Sequence, residues 1–122
     1  GKEEVILVAE DDNINFLLIE NFLKSYNFKI IRAKDGVEAV EFCKTNQEID
    51  LVLMDIKMPN LDGYEAFTEI RKINPTIPII AQTSYSFEEE LDKIKKLGFN
   101  NFISKPIQKQ KLLELIKVYL NR

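Results

Sequence analysis

The 122-residue chain has no histidine and a single cysteine. Without histidine, Ser-His-Asp and Cys-His catalysis, histidine-ligated zinc and histidine general bases are excluded. One cysteine cannot form an internal disulfide, and its presence fits a reducing compartment. Cys43 lies in Val40-Glu41-Phe42-Cys43 and reads as a small core residue of a helix. No apolar run approaches the roughly 18 residues of a membrane span, so no membrane contact is expected of this chain. Gly1-Lys2-Glu3-Glu4 lacks the apolar segment of a secretory leader, and the missing initiator Met suggests an excised or tagged chain. Basic residues number 17 against 20 acidic ones, a net charge of −3, which argues against direct nucleic-acid binding through a basic face. Chemistry on this chain must rest on carboxylates, hydroxyls, lysine or a hard cation.

What is present is a core. Hydrophobic residues make up 45% and charged residues 30%, a balance that excludes intrinsic disorder. The length is near the commonest size of one domain, which buries roughly two thirds of its unfolded surface. Residues 1–122 therefore read as a single domain, expected in the cytoplasm.

Two hydrophobic periods alternate along the chain. Val5-Ile6-Leu7-Val8-Ala9 is a continuous apolar run suited to a strand buried on both faces. A helical pattern follows from Ile14 to about Tyr26, its apolar positions including Leu18 and Phe22. Lys29 to Ala33 is a second strand, and Asp35-Gly36 turns into a helix through Val37, Val40 and Cys43. Leu51-Val52-Leu53-Met54 is a third strand. Asp62 and Glu65 have capping-box spacing at the head of a helix from Gly63 to about Ile73. Ile77-Pro78-Ile79-Ile80-Ala81 is a fourth strand, with Pro78 at its entrance. Ser86 and Glu89 repeat the capping-box spacing before a helix ending at Leu97, where Gly98 suits a left-handed cap. Asn101 to Ser104 is a short fifth strand, and Gln108 to Leu120 the last helix. Five strand–helix units without repeats or linkers imply a parallel sheet covered on both faces. Ligands bind such sheets at the carboxyl ends of the strands.

Those ends carry polar residues. The first strand ends in Glu10, Asp11 and Asp12, the third in Asp55, the fourth in Thr83 and Ser84, the fifth in Lys105. Singly each has a plain explanation: Asp12 or Asn13 caps a helix, Asp55 is a solvated strand end, Thr83 a turn residue, Lys105 an exposed charge. Together, clustered carboxylates raise one another's pKa, and a hard divalent cation with oxygen ligands offsets their repulsion. Carboxylates with such a cation, a lysine and a hydroxyl suit phosphoryl transfer, with aspartate itself able to act as nucleophile.

Four motifs carry a resemblance across essentially the whole chain: Ile6-Leu7-Val8-Ala9-Glu10-Asp11; Met54-Asp55-Ile56-Lys57-Met58-Pro59 with Asp62-Gly63; Thr83-Ser84; and Lys105-Pro106. In this order they resemble the receiver domains of two-component response regulators, including those of hybrid histidine kinases. The resemblance implies a flavodoxin-like α/β fold, a doubly wound sheet of five parallel strands ordered 2-1-3-4-5, with five helices. It implies that Asp55 accepts a phosphoryl group from a histidine kinase or histidine phosphotransfer domain. Glu10, Asp11, Asp55 and the backbone carbonyl of Lys57 would hold Mg²⁺ or Mn²⁺. Thr83 would be the switch hydroxyl, Lys105 its counter-charge, and Phe102 the switch aromatic, unless it is simply a core residue.

The same resemblance implies a cis Lys105–Pro106 bond. It also implies an output surface on the fourth helix, fifth strand and fifth helix, near Glu88, Glu89, Asp92, Lys95 and Lys109, for an output partner or a homodimer. Lys57 and Tyr85 would flank the water that hydrolyses the acyl phosphate, slowing its loss. The chain catalyses only its own phosphorylation and dephosphorylation in this reading and is not otherwise an enzyme. Three rivals share parts of the pattern. A flavodoxin-type binder needs a phosphate loop where Glu10-Asp11-Asp12 stands. A dehalogenase-like phosphatase needs a general acid at the position of Lys57. A degenerate receiver serving only as an interaction module would not need the acidic pair, Asp55, Thr83 and Lys105.

Overall fold

The structure is a computed structural model that describes residues 3–84 and 88–121. The elements run β1 (Glu4–Ala9), α1 (Asn13–Leu23), β2 (Phe28–Ala33), α2 (Gly36–Thr45), β3 (Ile49–Asp55), α3 (Gly63–Ile73), β4 (Ile79–Thr83), α4 (Glu88–Leu97), β5 (Asn101–Ser104) and α5 (Lys109–Leu120). All five strands are parallel, in the order β2-β1-β3-β4-β5, as the resemblance implies.

Strand alternation builds two cores. Leu7, Val52, Met54, Ile79 and Ala81 point to one face, where Val40, Cys43, Phe67, Ile70 and Ile94 cover them. Ile6, Val8, Leu51, Leu53 and Ile80 point to the other, against Phe16, Ile19, Leu23, Leu112 and Ile116. Burying each Leu or Ile contributes about 1.5–3 kcal/mol, which fixes α1 and α5 on the second face.

Three aspartates start helices by accepting backbone N–H groups: Asp12 from Ile14, Asp35 from Glu38 and Asp62 from Glu65. Gly98 ends α4 at φ +105°, where only glycine is unstrained. Gly63 serves a different purpose. A Cβ there would stand 2.4 Å from the Asp55 carbonyl oxygen, so a bare backbone lets α3 start against the end of β3. Its N–H donates to the Ile56 carbonyl at 2.9 Å and ties the intervening loop shut.

Several sequence expectations need correction. The buried stripe of α1 is Phe16, Ile19 and Leu23; Leu18 is exposed and Phe22 half-buried. Ile14 and Leu17 are exposed as well, so α1 is apolar on more than one side and its sequence does not select the inner face. The helix stops at Leu23, and Tyr26 N–H closes a turn onto the Leu23 carbonyl. β4 begins at Ile79 rather than Ile77, because the Ile77 carbonyl is taken by the Arg71 guanidinium at 2.6 Å. Gln108 precedes α5 as its cap residue and makes no side-chain cap bond. The Ser86 cap expected for α4 lies outside the described residues, as does Tyr85.

Candidate functional site

Three strand ends meet at one rim. β1 delivers Glu10 and Asp11, β3 delivers Asp55, and one carboxylate oxygen from each lies within 4.8 Å of the others. Glu10 and Asp55 are buried; Asp11 faces solvent. Lys105, just beyond β5, reaches over them. Its Nζ donates to Asp55 Oδ2 at 2.8 Å and lies 3.5 Å from Glu10 Oε1. The Lys105–Pro106 bond is cis, as expected.

Each carboxylate is also held by amides. The Lys57 N–H donates to Asp55 Oδ1 at 3.1 Å. The Asp12 N–H donates to Glu10 Oε2 at 3.1 Å, and Asn15 Nδ2 donates to Glu10 Oε1. Behind the acidic pair, Arg32 donates from Nε to the Glu10 carbonyl at 3.1 Å and from Nη2 to the Asp11 carbonyl at 3.3 Å. Its guanidinium lies 4.7 Å from the centroid of the Phe16 ring, which joins the loop after β1 to α1.

The electrostatics follow from burial. Desolvation is the largest influence on Glu10 and raises its pKa; the hydrogen bond and repulsion from Asp55 raise it further, while Asn15 and the Asp12 N–H pull it back. For Lys105, burial pulls the pKa down, but Asp55 and Glu10 outweigh it and hold the ammonium above its ordinary value. Three carboxylates against one paired ammonium leave a surplus of negative charge. Their hard oxygen donors fit a Mg²⁺-type cation.

Thr83 is buried at the end of β4, and its carbonyl accepts the Lys105 N–H at 2.8 Å. Phe102 is half-buried on β5 and packs on the core under α3 and α4. The geometry thus brings Glu10, Asp11, Asp55, Lys105 and the Lys57 backbone together, with Thr83 on the adjoining strand. Three contributors were missed in the sequence reading: Asn15, Arg32 and Gln82. Gln82 had a visible signal, since it interrupts the apolar run Ile79-Ile80-Ala81.

Residues 6–117 match the sequence model of the response regulator receiver domain. The chain belongs to that family. Similar proteins include the sensor histidine kinase RcsC of Salmonella typhi, 35% identical over 118 residues. That match covers 97% of this chain and 12% of the relative. The hybrid signal transduction histidine kinase I of Dictyostelium discoideum is 38% identical over 123 residues, covering 94% of this chain and 7% of the relative. The receiver thus spans a small part of the curated relatives it matches.

Among solved structures, the receiver domain of a sensor histidine kinase from Pseudomonas aeruginosa PAO1 superposes with a TM-score of 0.90 at 30% identity. It covers 99% of this chain and 100% of that one, and has a magnesium ion coordinated in its active-site cleft. The response regulator domain of Thermotoga maritima CheB gives a TM-score of 0.86 at 31% identity, covering 99% and 98%. This receiver is a phosphorelay signalling domain of two-component systems, and no helix among its described residues is long and apolar enough to cross a membrane.

Proposed function

We propose that residues 1–122 form one receiver domain, acting in the cytoplasm, that accepts a phosphoryl group on Asp55 from a phosphohistidine of a histidine kinase or histidine phosphotransfer domain. The observation that carries this reading is the buried Asp55 carboxylate, fixed by the Lys57 N–H on one oxygen and by Lys105 on the other. A carboxylate so held is a positioned nucleophile. An Asp55 oxygen attacks phosphorus, the N–P bond breaks, and the imidazole leaves with its electron pair and takes a proton. Lys105 neutralises the charge that arrives with the phosphoryl oxygens. Since the chain contains no histidine, the donor is another domain or protein.

Glu10, Asp11, Asp55 and the Lys57 carbonyl would hold Mg²⁺, or Mn²⁺ in its place, which when bound neutralises the transferring phosphoryl oxygens. Support comes from the donor set and from the magnesium in the Pseudomonas aeruginosa receiver. The first two turns of α1 leave Ile14, Leu17 and Leu18 exposed just after the acidic residues, apolar surface that an approaching donor can cover.

Phosphorylated Asp55 then draws on the Thr83 hydroxyl and Lys105, and Phe102 changes its packing. The face of α4, β5 and α5 is remodelled for an output partner or a second copy. Apart from this self-modification the domain is not an enzyme. The test is incubation with a small phosphodonor and Mg²⁺. Intact mass should rise by one phosphoryl group in the parent, not in Asp55→Asn, and not after chelation. Equal labelling of Asp55→Asn overturns the reading.

A further inference from the structure

Gln82 is fully buried on β4, directly paired in register with Asp55 and one residue before Thr83. Its Nε2 is a buried side-chain donor with no partner among the described residues. A buried donor left unmade is costly, and one that persists in a fold calls for a reason.

Donor and acceptor chemistry supplies the reason. An ionised carboxylate can only accept, so Asn15 must turn its nitrogen, not its oxygen, toward Glu10. That nitrogen carries a second hydrogen, which Asn15 donates to Gln82 Oε1 at 3.1 Å. Gln82 must therefore present its oxygen, and its Nε2 is left without an acceptor among the described residues. The orphaned donor is the consequence of a chain of amides whose end is the Glu10 carboxylate. A leucine or methionine at this position would pack without that penalty.

We propose that Gln82 and Asn15 are positioning residues for the metal site: Gln82 fixes the Asn15 amide plane, and Asn15 fixes the Glu10 carboxylate in the orientation that receives Mg²⁺. The chain spans β4, α1 and β1, so the strand that carries Thr83 is joined by side chains to the carboxylate pair. This inference rests on the metal reading given above.

The experiment measures Mg²⁺ affinity by titration and the Mg²⁺-free thermal midpoint, in the parent, Gln82→Met, Asn15→Ala and the double variant. Gln82→Met should weaken Mg²⁺ binding about tenfold, the low end for outer partners of a metal ligand, with a midpoint equal to or above the parent's. The double variant should bind no more weakly than Asn15→Ala alone, because both act through one chain. Unchanged affinity in Gln82→Met, penalties that multiply in the double variant, or affinity lost together with a lowered midpoint would each overturn the inference. A parent that does not bind Mg²⁺ overturns the metal reading itself. A parent that binds, with variants that match it, overturns only the positioning role.

Discussion

Lys105 Nζ lies 2.8 Å from Asp55 Oδ2, although 50 residues separate them in the chain. The parallel order places β4 between β3 and β5, so the lysine crosses one strand to reach its partner. The same ammonium is 3.5 Å from Glu10, so one side chain offsets the repulsion of two buried carboxylates.

Lys105→Met should therefore destabilise the Mg²⁺-free protein by about 2 kcal/mol, because it leaves buried acceptors without their charged donor. Urea unfolding checks this. Adding Mg²⁺ should recover part of the loss, since a cation at the acidic pair replaces some of the missing charge. A Met variant as stable as the parent without Mg²⁺ would show that the pair is already balanced by other groups.

Glu10 gives a pH dependence with a definite sign. Burial, then Asp55, raises its pKa above the ordinary 4.5. A carboxyl whose folded pKa is raised stabilises the fold while protonated; that contribution is complete below the unfolded value and is lost as pH rises through the folded one. Glu10→Gln lacks this titration. Without Mg²⁺, the variant should gain stability relative to the parent as pH rises above the ordinary carboxyl value of 4.5. Denaturant unfolding at several pH values measures the difference, and a parent that gains on the variant with rising pH would reverse the assignment.

Gly63→Ala tests how the loop behind Asp55 is closed. The new Cβ would meet the Asp55 carbonyl oxygen at 2.4 Å and the Ile56 Cα at 2.7 Å, both backbone atoms that cannot swing aside. A loss of about 3 kcal/mol is expected, at the upper end for overpacking. Amide exchange should quicken first at Lys57 and Gly63, whose N–H groups bond within this loop. A variant of parental stability would mean that α3 can shift without disturbing β3.

Much of this was legible in the sequence, and the failures have a common cause. Buried parallel strands are apolar on both faces, so Val5 to Ala9 and Leu51 to Met54 stand out without structural knowledge. The site followed because polar residues break those runs at their carboxyl ends. The inner face of α1 did not follow, because Ile14, Leu17 and Leu18 are as apolar as Phe16, Ile19 and Leu23; only packing on the sheet separates the two sets. Gln82 stands out as a polar residue after Ile79-Ile80-Ala81, but its pairing with Asn15 joins residues 67 apart, and no local period encodes such a contact. Arg32 was missed for the same reason, since it acts on backbone carbonyls across two strands.

The most direct test of the central claim is intact-mass spectrometry of the parent and Asp55→Asn after incubation with a small phosphodonor and Mg²⁺. The account predicts one added phosphoryl group on the parent, located at Asp55 by peptide mapping, and none on the variant. A variant labelled to the same extent as the parent would contradict it.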